Sequence, residues 1–102
     1  MSNAVPAPPP ELDGANVLAY AVLDETVTYT GRITSFMDGK LIDPVPRLII
    51  AHNQYEPRDY LLFYCNSEWE VLGAGGYSSL SEAKHSAEVA YAGSCNKWQH
   101  VA

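Results

Sequence analysis

The chain has 102 residues, of which 47% are apolar and 18% charged, and its formal net charge is -6. This length fits one small domain with a single core. Six Lys and Arg, scattered along the chain against 12 acidic residues, exclude the clustered cationic surface that nucleic acids and anionic membranes require. No apolar run approaches the roughly 18 residues needed to cross a bilayer. We therefore expect neither nucleic acid nor a membrane as a partner.

The chain begins with a proline-rich arm over residues 1–14, which carries Pro6, Pro8, Pro9 and Pro10. Prolines remove backbone donors and favour extended polyproline geometry, so we predict that the arm is disordered and that residues 15–102 form the domain. The arm is alternatively a ligand for a proline-binding groove in a partner. Residues 2–4 are typical of an expression-vector remnant, and the arm has no basic or apolar signal-peptide region.

The first half of the domain is predicted to be β-structure. Residues 17–23 and 26–30 are rich in β-branched and aromatic residues, and we expect them to form a hairpin. Residues 33–37 indicate a weaker strand before the Asp38-Gly39 turn. Pro44 and Pro46 interrupt regular pairing until residues 47–51 resume it.

The second half predicts a hairpin, a helix and a closing segment. Residues 60–65 are apolar on both faces, residues 66–67 form a turn, and residues 68–72 alternate acidic with apolar side chains. Ser79 and Glu82 predict a capping box at the start of a helix, and Gly93 predicts its end. The alternation in residues 97–101 indicates a short final strand anchored by Trp98. The fold class is thus α+β, with an antiparallel sheet of five or six strands packed against one C-terminal helix.

The predicted sheet has more apolar surface than one helix covers. Residues 17–23, 48–51 and 60–65 are apolar at consecutive positions, as in strands that are buried on both faces. The second face must be shielded by curling of the sheet, by loops or by a second subunit. We predict a homodimer with an apolar sheet surface or an edge strand at its interface.

A glycine-rich bend at residues 73–76 lies between the last predicted strand and the helix. Backbone amides in this setting bind phosphate, but the spacing lacks the dinucleotide and P-loop patterns. A bulged strand end or a close chain crossing is the simpler interpretation. As a ligand site, the bend would use a pocket formed by these residues: Gly73, Gly75, Gly76, Tyr77, Trp69 and Trp98.

The cysteines and histidines give no catalytic or metal signature. Cys65 and Cys95 are the two cysteines, and no paired metal-ligand spacing occurs near them. A Cys95 nucleophile assisted by His85 or His100 lacks a third orienting group. We expect no metal, no cofactor and a reducing cytoplasm, with a Cys65–Cys95 bridge as the alternative. His52, close to Glu56 and Asp59, is interpreted as part of a solvated loop rather than an acid–base pair.

The last 45 or so residues carry a series of features in a fixed order. These are the apolar strand 60–65, the turn, Trp69, the glycine bend, the Ser79-x-x-Glu82-Ala-Lys helix and Trp98. The series resembles a group of small, acidic, mostly uncharacterised bacterial proteins. The resemblance implies a cytoplasmic α+β domain and no catalytic residue.

Two functions from different classes follow. The first is a non-enzymatic binding or interaction protein, dimeric or of the toxin-neutralising immunity type, in which an acidic domain meets a basic protein partner. The alternative is a small-molecule-binding protein or enzyme that uses the bend at residues 73–77 and the neighbouring aromatic residues as pocket walls.

Overall fold

A computed structural model gives the fold, and it describes residues 6–34, 36–56 and 58–101. Within these residues, ten strands and one α-helix follow one another: β1 (Glu11–Leu12), β2 (Ala15–Val22), β3 (Thr28–Tyr29), β4 (Phe36–Met37), β5 (Lys40–Leu41), β6 (Arg47–Asn53), β7 (Tyr60–Cys65), β8 (Val71–Tyr77), α1 (Leu80–Ala90), β9 (Tyr91–Ala92) and β10 (Trp98–His100). The main sheet has the order β1-β2-β6-β7-β8, and β10 also pairs with β2. All of its pairs are antiparallel. The predicted α+β fold with a C-terminal helix is confirmed.

Two small sheets lie outside this main sheet. Strands β4 and β5 form a hairpin around the predicted Asp38-Gly39 turn. Strand β3 pairs with β9, directly after the helix, whereas β2 pairs with β6 and β10. The predicted hairpin of residues 17–23 with 26–30 is therefore wrong, because the partner of the second segment comes from the far end of the chain.

The helix begins as predicted and ends earlier. Ser79 is the N-cap, and its hydroxyl accepts a hydrogen bond from the Glu82 amide at 3.1 Å. The helix ends at Ala90, and Gly93 instead precedes a 3-10 turn at Ser94–Asn96. Gly93 has a φ of 98°, and a Cβ there would lie 3.0 Å from the Thr26 carbonyl oxygen. The glycine thus permits both this conformation and a close chain crossing.

The segment 66–70 is a turn rather than the first part of a strand. The Asn66 side-chain oxygen accepts hydrogen bonds from the amides of Glu68 (2.9 Å) and Glu70 (3.0 Å). Trp69 has a φ of 64°, which is incompatible with a strand. The predicted strand over residues 68–72 is therefore displaced, and β8 continues through the glycines that we expected to form a bend.

One face of the main sheet packs against the helix. Consecutive residues of a strand point to opposite faces, so Leu48 and Ile50 of β6 share this face with Leu62 and Tyr64 of β7. Ala83, Ala87 and Ala90 of the helix are fully buried against them. Their small side chains let the helix lie close to the sheet. Among the described residues, no helix is both long and apolar enough to span a bilayer.

The other face of the sheet is also buried within this chain. Its core consists of Ala15, Val17, Ile49, Ala51, Phe63, Cys65 and Trp69, all of them at most 6% exposed. Leu12 and Tyr20 pack against this cluster from the β1–β2 side, and Val71 packs against it from β8.

The N-terminal segment helps to cover this second face. Residues 1–5 of the predicted arm lie outside the described residues. Strand β1 pairs with β2, and the Pro6 carbonyl accepts a hydrogen bond from the Trp69 indole nitrogen at 2.8 Å. The face that we expected a second subunit to cover is therefore shielded by the chain itself, so this argument for a homodimer no longer holds. The homodimer stays a prediction, with an edge strand as the remaining candidate for its interface.

Candidate functional site

An open groove of about 580 Å³ lies between the end of β8 and the first turns of the helix. Its volume is within the range of small-molecule sites. We name it the α1–β8 groove, and it is lined by Gly76, Tyr77, Ser78, Ser81, Glu82, His85 and Ser86. The strand ends where the helix begins, which brings these residues from one short sequence segment onto facing elements.

Tyr77 connects the sheet to the helix inside this groove. Its hydroxyl is hydrogen-bonded to the Ser86 hydroxyl at 2.6 Å. Its ring lies over Gly75, where a Cβ would come within 3.2 Å of the Tyr77 oxygen. Burial, together with the nearby Tyr77, raises the pKa of Tyr64 to about 12, so its phenol stays neutral at physiological pH.

Glu82 at the groove entrance is fixed by the turn that precedes the helix. Its carboxylate accepts hydrogen bonds from the Ser78 amide at 3.0 Å and from the Ser78 hydroxyl. These bonds lower the pKa of Glu82 and keep it ionised. Half of the predicted capping box is confirmed, because the Ser79 hydroxyl accepts from the Glu82 amide, whereas the Glu82 carboxylate accepts from Ser78 instead of the Ser79 amide. The groove thus presents hydroxyl groups, the His85 imidazole and the Glu82 carboxylate, which is already hydrogen-bonded to Ser78.

The structure brings only part of the predicted ligand site together. Gly75 and Tyr77 are in contact, and Gly76 also lines the groove, whereas Gly73 packs near the Ile42 side chain. Trp69 belongs to the core on the opposite face of the sheet. Trp98 lies on β10, which pairs with β2 and is therefore separated from β8 by strands β6 and β7. Neither tryptophan lines the groove.

The cysteines and histidines are also dispersed. Both thiols are free, with Cys65 buried in the sheet core and Cys95 exposed after the helix. His100 contacts the Lys84 amine at 2.6 Å, and His52 stacks on Tyr60 with ring centroids 4.7 Å apart. The described residues contain no group of three or more His, Cys, Asp or Glu able to hold a metal ion.

A surface that the sequence analysis missed lies beside β8. Three of the described large apolar side chains are strongly exposed on one hairpin, namely Phe36 (62%), Met37 (46%) and Leu41 (50%). This hairpin, β4–β5, lies next to β8. The side chain of Ile42, which follows the hairpin, comes within 3.1 Å of the position that a Gly73 Cβ would take. The sequence signal for this surface is the Phe36-Met37 pair before the Asp38-Gly39 turn. Only the fold shows that no other described residue covers the pair.

Strand β8 itself is an edge. It pairs with β7 and with no other strand of the described residues. Between Val71 and Tyr77 it carries neither a charged residue nor a proline, the devices that normally block edge pairing. Alternate backbone groups of such an edge remain available to another strand.

Acidic side chains lie around this edge. Glu70 directly precedes β8, Asp38 lies at the hairpin turn, and Glu82 lies in the groove. The Asp59 carboxylate lies 3.7 Å from the position of a Gly76 Cβ. We name the combination of β8, the β4–β5 hairpin and these carboxylates the β8 surface.

Comparisons with protein-family models, curated proteins and solved structures find no match for this chain. The resemblance to small acidic bacterial proteins therefore stays a prediction.

Proposed function

We propose that this protein is a non-enzymatic interaction protein whose β8 surface binds an extended, basic segment of a partner protein. The observation that carries the proposal is the exposed apolar hairpin beside an uncharged edge strand. A partner strand would add to β8 through backbone hydrogen bonds, and its side chains would cover Phe36, Met37 and Leu41.

Charge supports a basic partner over a second copy. Two copies with a net charge of -6 repel each other, whereas Lys and Arg of a partner would meet Asp38, Asp59 and Glu82 around the edge. Toxin neutralisation by an acidic immunity protein is one form of such an interaction. The cytoplasm is part of the proposal and is supported by the two free thiols.

The test is selection of random peptides, about ten residues long and thus of strand length, against the full chain. We expect selected peptides to alternate apolar residues with Lys or Arg and to bind more weakly as salt increases. Phe36→Ser should weaken their binding about tenfold or more, because the loss of one well-packed aromatic anchor costs at least that much. Isothermal titration calorimetry measures the change.

Val101→Ser is the matched control. Val101 is 44% exposed, but its amide binds the Leu18 carbonyl on the far side of the sheet, so its substitution should leave binding unchanged. Peptides without basic residues, or equal binding by Phe36→Ser and wild type, would contradict the proposal.

The alternative, small-molecule binding, is favoured by the volume of the α1–β8 groove. The groove retains Gly76 and Tyr77 from the predicted pocket but neither tryptophan. A metabolite that raises the melting temperature without competing with the selected peptides would favour this alternative.

A further inference from the structure

The proline-rich segment 6–10 is held against the second face of the sheet at both of its ends. The Trp69 indole nitrogen donates a hydrogen bond to the Pro6 carbonyl at 2.8 Å, and the Val17 amide donates one to the Pro10 carbonyl at 2.9 Å. In both bonds the segment contributes a backbone carbonyl. A polyproline helix leaves this group free for a partner at every residue, because it has no internal hydrogen bonds.

The side chains around Trp69, which binds Pro6, come from other parts of the chain. The rings of Tyr20 and Trp69 meet edge to face, with centroids 5.5 Å apart. The Arg47 guanidinium lies 5.1 Å from the centroid of the Trp69 ring and donates a hydrogen bond to the Ser67 carbonyl at 2.8 Å. We name Tyr20, Arg47 and Trp69 the aromatic platform.

The platform is fixed independently of the proline segment. Trp69 has a φ of 64°, a strained conformation for a bulky residue. The turn formed by Asn66, whose carbonyl accepts the Trp69 amide hydrogen bond at 3.1 Å, holds it there. Strain of this kind persists only where the surroundings determine it. In this conformation the indole N–H donates to the Pro6 carbonyl.

A rigid aromatic surface with an indole donor is the means by which proteins recognise polyproline peptides. We propose that the aromatic platform is a polyproline-binding site, occupied within the chain by residues 6–10 and open by exchange to a proline-rich segment of a partner. This goes beyond the proposed function, since it uses the opposite face of the sheet from the helix and neither the β8 edge nor the β4–β5 hairpin.

Charge determines which proline-rich segment would displace the internal one. Glu68 and Glu70 lie on either side of Trp69 in the turn, and the chain's own segment continues into Glu11 and Asp13. The end of the segment that binds Trp69 is Pro6, so the turn's carboxylates adjoin this end, whereas Glu11 pairs with Asn16 at the other end. A proline-rich segment with Lys or Arg before its first proline would meet Glu68 and Glu70, and this is the occupant that we propose.

The experiment uses the full chain and a synthetic peptide, KKVPAPPP, that copies the internal segment behind two lysines. Binding is followed by the NMR shifts of the Tyr20 and Val17 amides, because displacement of the segment removes the Pro10 partner of Val17. We expect saturable shifts, roughly tenfold weaker binding by the charge-reversed peptide EEVPAPPP, and none by the proline-free KKVAAAAA.

Two variants separate recognition from general stability. Trp69→Phe keeps an aromatic ring and loses the donor, which the internal segment also uses. It is therefore combined with Pro8→Ala and Pro9→Ala, which loosen that segment, and in this background it should weaken the peptide about tenfold, as the loss of one hydrogen bond does. Pro8→Ala with Pro9→Ala loosens the internal competitor and should strengthen peptide binding several-fold, since a tethered ligand competes at about millimolar effective concentration. Phe36→Ser should leave this binding unchanged, which keeps the test distinct from that of the β8 surface.

Equal shifts with the proline-free peptide would overturn the proposal. So would peptide binding that Trp69→Phe leaves unchanged in the variant with Pro8→Ala and Pro9→Ala. A concentration-dependent dimer that Trp69→Phe abolishes would also overturn it, because the occupant would then be the segment of a second copy.

Discussion

Ile49→Ala and Ile50→Ala should each lower the free energy of unfolding by about 2–5 kcal/mol, and by similar amounts. These neighbours on β6 are both fully buried, Ile49 in the core behind Trp69 and Ile50 in the core under the helix. The same residue type is thus deleted from each face of one strand. Because the chain shields both faces, each substitution leaves a cavity that the surroundings only partly fill.

Urea denaturation followed by far-UV circular dichroism measures both losses. Ile33→Ala is the control, since Ile33 is only partly buried in the loop before β4 and should cost clearly less. A large loss for Ile50→Ala beside a negligible one for Ile49→Ala would show that the second face is not shielded in the isolated chain.

Tyr91→Phe should lower the free energy of unfolding by about 1–3 kcal/mol. The Tyr91 hydroxyl donates a hydrogen bond to the buried Asp43 carboxylate and accepts one from the Val45 amide at 3.0 Å. Burial and the bond to Asp43 raise the pKa of Tyr91, so the phenol remains a donor. Phenylalanine fills the same space but removes one hydrogen bond from each of two buried groups, the Asp43 carboxylate and the Val45 amide.

Tyr29→Phe is the matched control for this substitution. Its hydroxyl makes one long hydrogen bond, 3.4 Å to the Ile33 carbonyl, and its ring packs on Tyr91 with centroids 5.3 Å apart. Removing this hydroxyl should cost less than about 1 kcal/mol. Equal melting curves for Tyr91→Phe and wild type would contradict a structural role for the Asp43–Tyr91 pair.

Local sequence patterns predicted the central strands well. Residues 48–51 and 60–65 are apolar at consecutive positions, and both lie in strands buried on two faces. The Asp38-Gly39 turn and the Ser79 cap depend on chemistry within a few residues, and both were found. These features need no information about distant contacts.

Other features depend on contacts that sequence spacing does not reveal. The Glu-Trp-Glu alternation imitates a strand, but the Asn66 turn overrides it. Gly73 and Gly75 lie within a strand despite their low β-propensity, because Ile42 and the Tyr77 ring occupy the space beside them. The candidate site was predicted only around Tyr77, since the position of the β4–β5 hairpin beside β8 follows from tertiary packing.

The labelling rate of Cys65 tests most directly whether the chain itself shields the second face of its sheet. Cys65 is fully buried in that face, and burial raises the pKa of its thiol to about 12. Replacement of the exposed thiol by Cys95→Ser leaves Cys65 as the single reactive group. We predict that a maleimide labels it only as fast as the protein unfolds, equally at high concentration and after extensive dilution. Rapid labelling, or protection that disappears on dilution, would mean that a second subunit covers this face and would contradict the account.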